Sequence, residues 1–195
     1  MRMLLVCFGL VAPVFAQTGL LEKRMAAGER MARDFRRHTK PLEGAAEEYL
    51  RRVGRTLLGP DEHWQFELIK DDFGGVTREP VVFPGYLFVP ARLLLMTGSE
   101  AELAGMLAHA IARMQGAADG VAADRRAVEI AASAGYDPRA LAAYLRRLPR
   151  LEARVAVIEE AAAGQTPREW KESTGAFADA QEFVRHAATR GWRGK

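Results

Sequence analysis

Apolar residues repeat along this chain with two different periods, and the switches between them mark its elements. Over residues 20–37 they recur at helical spacing, Leu21, Met25, Met31 and Phe35 among them, until Pro41 breaks the pattern. A second helix is predicted over 42–57, with Ala46, Tyr49, Leu50, Val53 and Leu57 on one side and Gly59-Pro60 as its stop. The period then shortens. Across 63–70, Trp64, Phe66 and Leu68 alternate with polar residues, as in a half-buried strand, and Gly74-Gly75 marks a turn. Residues 81–83 and 86–89 flank Pro84-Gly85, which suits a type II turn because glycine takes positive φ without steric cost. A small antiparallel sheet is expected within a mostly helical chain.

Helical spacing returns at Ser99. Glu102 follows it by three, the capping arrangement of a helix start. Leu103, Met106, Leu107, Ala110, Ile111 and Met114 then share one face, and Gly116 and Gly120 weaken the far end. Further helices are predicted over 121–134, with Gly135 as a left-handed cap, from Asp137-Pro138 to near Pro149, over 151–163 and over 177–189. No internal repeat, low-complexity tract or long linker divides the chain. Residues 17–195 therefore read as one α+β domain.

The first 16 residues change the picture. Arg2, an apolar run over 4–14 and Val14-Phe15-Ala16 read as a signal peptide cleaved before Gln17, and the run is too short to span a bilayer. Cys7 is the only cysteine and lies inside this segment. Bulky Val6 precedes it and it sits very early, which argues against a lipid attachment site. The mature chain is then expected to have no disulfide, thiol nucleophile or cysteine-bound metal. The net charge of +3, with Arg interleaved among Glu and Asp, gives no basic stripe that would point to nucleic acid.

Candidate chemistry centres on residues 99–137. Zinc peptidases of the gluzincin type place H-E-x-x-H on a helix, so that two rings face one metal and the Glu between them acts as base for the zinc-bound water. The stretch Tyr86-Leu87-Phe88-Val89, then Leu93 to Leu95, Glu100-Ala101-Glu102-Leu103-Ala104 and Leu107-Ala108-His109-Ala110-Ile111-Ala112-Arg113 resembles the HtpX-type and CAAX prenyl protease-type metallopeptidases, their periplasmic members above all. Ala123-Asp124-Arg125, Ala134-Gly135-Tyr136-Asp137-Pro138 and the tail segments 154–160 and 173–184 extend the resemblance over nearly all of the mature chain.

The resemblance implies a mostly helical gluzincin-like fold with a zinc site, and this chain departs from it at the metal. His109 matches the first ligand, Ala110 stands at the general base, Arg113 at the second histidine and Gly120 at the third-ligand Glu. Asp124, which in the family orients a histidine ligand, is kept. About ten residues separate Arg113 from Ala123, against several dozen in the family. One imidazole holds zinc poorly, and a cation one turn away repels a dication. No zinc or other cofactor is therefore expected. A salt bridge from Asp124 to Arg113 or His109 is expected to replace the metal. His109, about 140° from the centre of the apolar face, is placed on a polar flank beside Arg113.

The remaining candidates read as structural. His38, His63 and His186 show no ligand spacing, Ser99 is a cap, and Met25, Met31, Met96, Met106 and Met114 are expected to fill the core. Function is expected to follow the dismantled site: an exported, periplasmic pseudo-peptidase that binds extended or unfolded polypeptide, or an active peptidase relative, along a sheet edge at Tyr86, Leu87, Phe88 and Val89. The alternative is an active zinc metalloendopeptidase with substitute ligands.

Overall fold

The computed structural model describes residues 12–59, 62, 64–70 and 79–191. The apolar N-terminal run, Cys7, His63 and the Gly74-Gly75 turn fall wholly or mainly outside the described residues. The element order is α1 (Ala12–Arg36), α2 (Ala45–Leu57), β1 (Gln65–Ile69), β2 (Val81–Phe83), β3 (Tyr86–Pro90), α3 (Ala91–Met96), α4 (Glu100–Met114), α5 (Gly120–Ser133), α6 (Ala140–Leu145), α7 (Glu152–Ala163) and α8 (Gly175–Gly191). This is the mostly helical α+β arrangement that the periodicity predicts. Among the described residues no helix is long and apolar enough to cross a membrane.

The sheet departs from expectation in its topology. Its order is β1-β3-β2, with β3 parallel to β1 and antiparallel to β2, so the sheet is mixed rather than antiparallel. The β2–β3 hairpin turns at Pro84-Gly85, where Gly85 has φ +79, and β3 then inserts beside β1. The outer side of β1 is closed by residues 40–42: Leu42 N–H donates to the Leu68 carbonyl at 2.8 Å, and Lys70 N–H to the Lys40 carbonyl at 2.8 Å. The outer edge of β2 has no strand partner among the described residues.

Two layers of helix enclose this sheet. Phe66, Leu68, Leu87 and Val89 point into a core shared with α2, α4, α5, α6 and α8, which runs from Leu42 to Val184. The opposite face, with Ile69, Tyr86 and Phe88, packs under Ala32 and Phe35 of α1. Ile69 and the β3 residues are therefore buried on both faces, which breaks the simple alternation expected of a half-exposed strand.

Helix α1 corrects the sequence reading most clearly. Leu21, Met25 and Met31 are expected in its apolar face, yet they are 59%, 37% and 48% exposed, and Leu20 beside them is 70% exposed. The face that meets the sheet carries Gly28, Ala32 and Phe35 instead, because the helix lies close. A Cβ on Gly28 would overlap the carbonyl oxygen of Pro84. Met25 and Met31 are not core fillers, whereas Met106 is buried and Met96 and Met114 are half-buried.

Candidate functional site

Helix α4 is the centre of the molecule. Ser99 Oγ accepts from the Glu102 backbone N–H at 3.2 Å, and a Glu102 carboxylate oxygen accepts from the Gly98 N–H at 2.6 Å, which completes the predicted cap. Every residue from Glu100 to Ala112 is buried. A helix covered all round has no polar flank, so His109 is buried rather than exposed, at 7%. The covering element is α5. The short 115–119 connection folds it back along α4, and alanines at 108, 112, 123 and 127 on the two helices let them approach closely. Arg113, one turn beyond His109, is exposed in the last turn of α4.

Asp124 projects from α5 into the buried side with no solvent exposure. Its Oδ1 accepts from His109 Nδ1 at 2.7 Å and from Arg154 Nη2 at 2.7 Å, and its Oδ2 accepts from Arg154 Nε at 2.8 Å. Of the two partners expected for Asp124, His109 is one and Arg113 is not; the permanent cation on Asp124 is Arg154 of α7, which the sequence reading did not name. Arg154 Nη1 also donates to Glu79 Oε1 at 3.0 Å. Burial pushes the Asp124 carboxyl up, but hydrogen bonds from Arg154 and His109 outweigh it and hold the pKa below the ordinary value. The same hydrogen bond from Asp124 raises the Arg154 guanidinium, against the opposing effect of burial.

These bonds fix the tautomer of His109. Nδ1 carries the proton given to Asp124, which leaves Nε2 as the ring lone pair. The Arg154 guanidinium lies against the ring, with Nη2 3.3 Å from Nδ1 and 3.5 Å from Nε2. Zinc would need this lone pair and at least two more donors. Ala110 and Arg113 offer none, Gly120 has no side chain, and a guanidinium already faces the ring. Among the described residues no group of three His, Cys, Asp or Glu side chains could hold a metal ion. The side chains present do not fit zinc.

The site opens into a cavity of about 280 Å³. Its walls are Glu79, Pro80 and Val82 on the strand side, Met106, His109, Ala110, Arg113 and Met114 from α4, Leu141, Tyr144 and Leu145 from α6, and Arg154 from α7. Val82 thus brings the outer edge of β2 to the rim.

No family model and no curated protein matches this chain. The functional reading accordingly stands on the residues themselves.

The remaining sequence-predicted residues separate from the site. Tyr86, Leu87, Phe88 and Val89 form the central strand and are buried, so they are not a sheet edge; the strand at the edge is β2. The antiparallel expectation failed here because the β2–β3 hairpin is legible in the turn, whereas the parallel insertion of β3 beside β1 is a long-range pairing. His38 and His186 are exposed. Sequence reasoning missed Arg154 and Glu79. Arg154 lies four residues before the fully buried Ile158 and eight before Ala162, on the covered stripe of α7. An arginine on an apolar stripe, with an aspartate on the apolar stripe of α5, was the available signal.

A second buried charge holds α4 at its other end. The Glu100 carboxylate, 1% exposed, accepts from Tyr136 Oη at 2.9 Å and from the Thr174 hydroxyl, and pairs with Lys171. Burial raises its pKa, but the bonds from Lys171, Thr174 and Tyr136 together bring it below the ordinary value.

Proposed function

We propose that this chain is a non-hydrolytic, peptidase-like protein of the cell envelope that holds extended polypeptide along the outer edge of β2. The observation that carries this reading is the pairing of an internal cation with the remaining histidine. The Arg154 guanidinium lies against the His109 ring, so a permanent cation faces the one imidazole a metal would use, and Ala110 leaves no base to activate water. A cleft in this state can bind without cutting.

The binding half of the proposal rests on β2. In a hairpin closed by a two-residue turn, Phe83 and Tyr86 exchange both ladder bonds, and Val82, opposite Leu87, directs its N–H and carbonyl outward. An extended chain gains main-chain hydrogen bonds by pairing there and places alternate side chains into the cavity behind Val82. The resemblance to periplasmic gluzincin peptidases supports export and an occupant drawn from unfolded envelope polypeptide or an active peptidase relative.

The test uses the full chain with a fluorescent, cysteine-alkylated secretory protein that cannot fold. The expected result is saturable binding with no new fragments by mass spectrometry, with or without added zinc. Fragments that disappear on adding a chelator would establish a working peptidase, and absence of binding would remove the polypeptide reading.

A further inference from the structure

The cavity beside His109 is electrically uneven. On one wall Arg154 is matched by Asp124 and Glu79. Arg113, one turn from His109 on α4, also lines the cavity, is exposed, and has no ion pair among the described residues. Much of the remaining lining is apolar: Val82, Met106, Ala110, Leu141 and Leu145. The anionic groups nearby, Asp124 and Glu79, are both bonded to Arg154.

We infer that this cavity binds a small apolar group joined to a carboxylate. The apolar part fills the space that Ala110 leaves open, and the carboxylate pairs with Arg113, whose planar fork matches two carboxylate oxygens. At about 280 Å³ the cavity lies just below the usual range for small-ligand sites, so it takes one side-chain-sized group. Two sources carry this chemistry: the carboxyl terminus of a polypeptide ending in an apolar residue, and a free aliphatic acid. The inference does not depend on strand pairing at β2.

The test titrates the full chain with N-acetyl-leucine, N-acetyl-leucinamide and octanoate, followed by calorimetry and by NMR of the Met106 and Ala110 methyl groups. Carboxylate ligands are expected to shift those methyls and to bind at least about tenfold more tightly than the amide, the scale of one charge-assisted hydrogen bond. Arg113→Gln, at an exposed position and checked for an unchanged melting temperature, should erase that preference, and Arg113→Lys should keep part of it. Tighter binding of N-acetyl-leucine than of octanoate assigns the site to a polypeptide terminus; the reverse order assigns it to a free acid. Equal binding of acid and amide, unmoved methyls, or a preference that survives Arg113→Gln would overturn the inference. Each of these results is independent of whether the unfolded probe protein binds.

Discussion

Arg154 and Asp124 meet through two parallel hydrogen bonds, Nε to Oδ2 at 2.8 Å and Nη2 to Oδ1 at 2.7 Å, across the gap between α7 and α5. Asp124 is wholly buried, and the Arg154 side chain keeps 23% exposure. A carboxylate in that position depends on its cation. Arg154→Met keeps most of the side-chain bulk and removes the charge, so it is expected to destabilise the fold at neutral pH by about 3–5 kcal/mol. Urea unfolding measures this directly. A loss below about 1 kcal/mol would mean that the pair is structurally idle.

The pH dependence should change sign in that variant. In the unaltered chain, Asp124 and Glu100 titrate below their ordinary values. Their stabilisation is fully present above the unfolded carboxylate range, about pH 4, and is lost as pH falls through the lower folded values. Without Arg154, burial acts on Asp124 with His109 as its remaining partner. Its pKa should then rise above the unfolded value, so the folded state takes up a proton first and stability increases as pH falls from 7 toward about 5. Unfolding curves at a series of pH values separate the two slopes, and parallel profiles for both proteins would contradict the assignment.

The edge of β2 offers a main-chain test. Because Val82 gives its N–H outward, Val82→Pro removes an edge donor and no ladder bond. The circular dichroism spectrum should be retained, and affinity for an unfolded polypeptide should drop by roughly tenfold. Unchanged affinity would move the binding surface away from β2.

Much of the fold was readable from the chain because its signals are local. The Ser99 cap, the Pro84-Gly85 turn and the positive φ of Gly135 each depend on residues a few positions apart. The stripe Ala46, Tyr49, Leu50, Val53 and Leu57 is buried as its spacing predicts. What was not readable depends on long-range placement. The insertion of β3 between β1 and β2 exchanged an edge for a centre, and the covering of α4 by α5 buried His109 on what looked like a polar flank. The site was half legible: Asp124 was expected to pair with Arg113 or His109, and His109 is indeed a partner, but Arg154 was not anticipated. Arg154, thirty residues beyond Asp124, is brought in by the packing of α7.

Helix α1 shows the same limit and yields its own prediction. Leu20, Leu21 and Met31 face outward, whereas small Gly28 and Ala32 and the ring of Phe35 meet the β2–β3 turn and the sheet. Leu20→Ser and Leu21→Ser should therefore each change stability by no more than about 0.5 kcal/mol, as for ordinary surface positions. A loss above about 1.5 kcal/mol in thermal or urea unfolding would show that these side chains are covered.

The central claim is that a guanidinium, Arg154, faces His109 and leaves no place there for a metal. The most direct measurement is zinc content: the full chain is expressed and purified with zinc supplied throughout, dialysed exhaustively, and its bound metal per chain is read by mass spectrometry. The arrangement of Arg154, Asp124 and His109 predicts no retained zinc. Zinc held at close to one ion per chain would contradict it, and would require His109 to find ligands that the present arrangement does not supply.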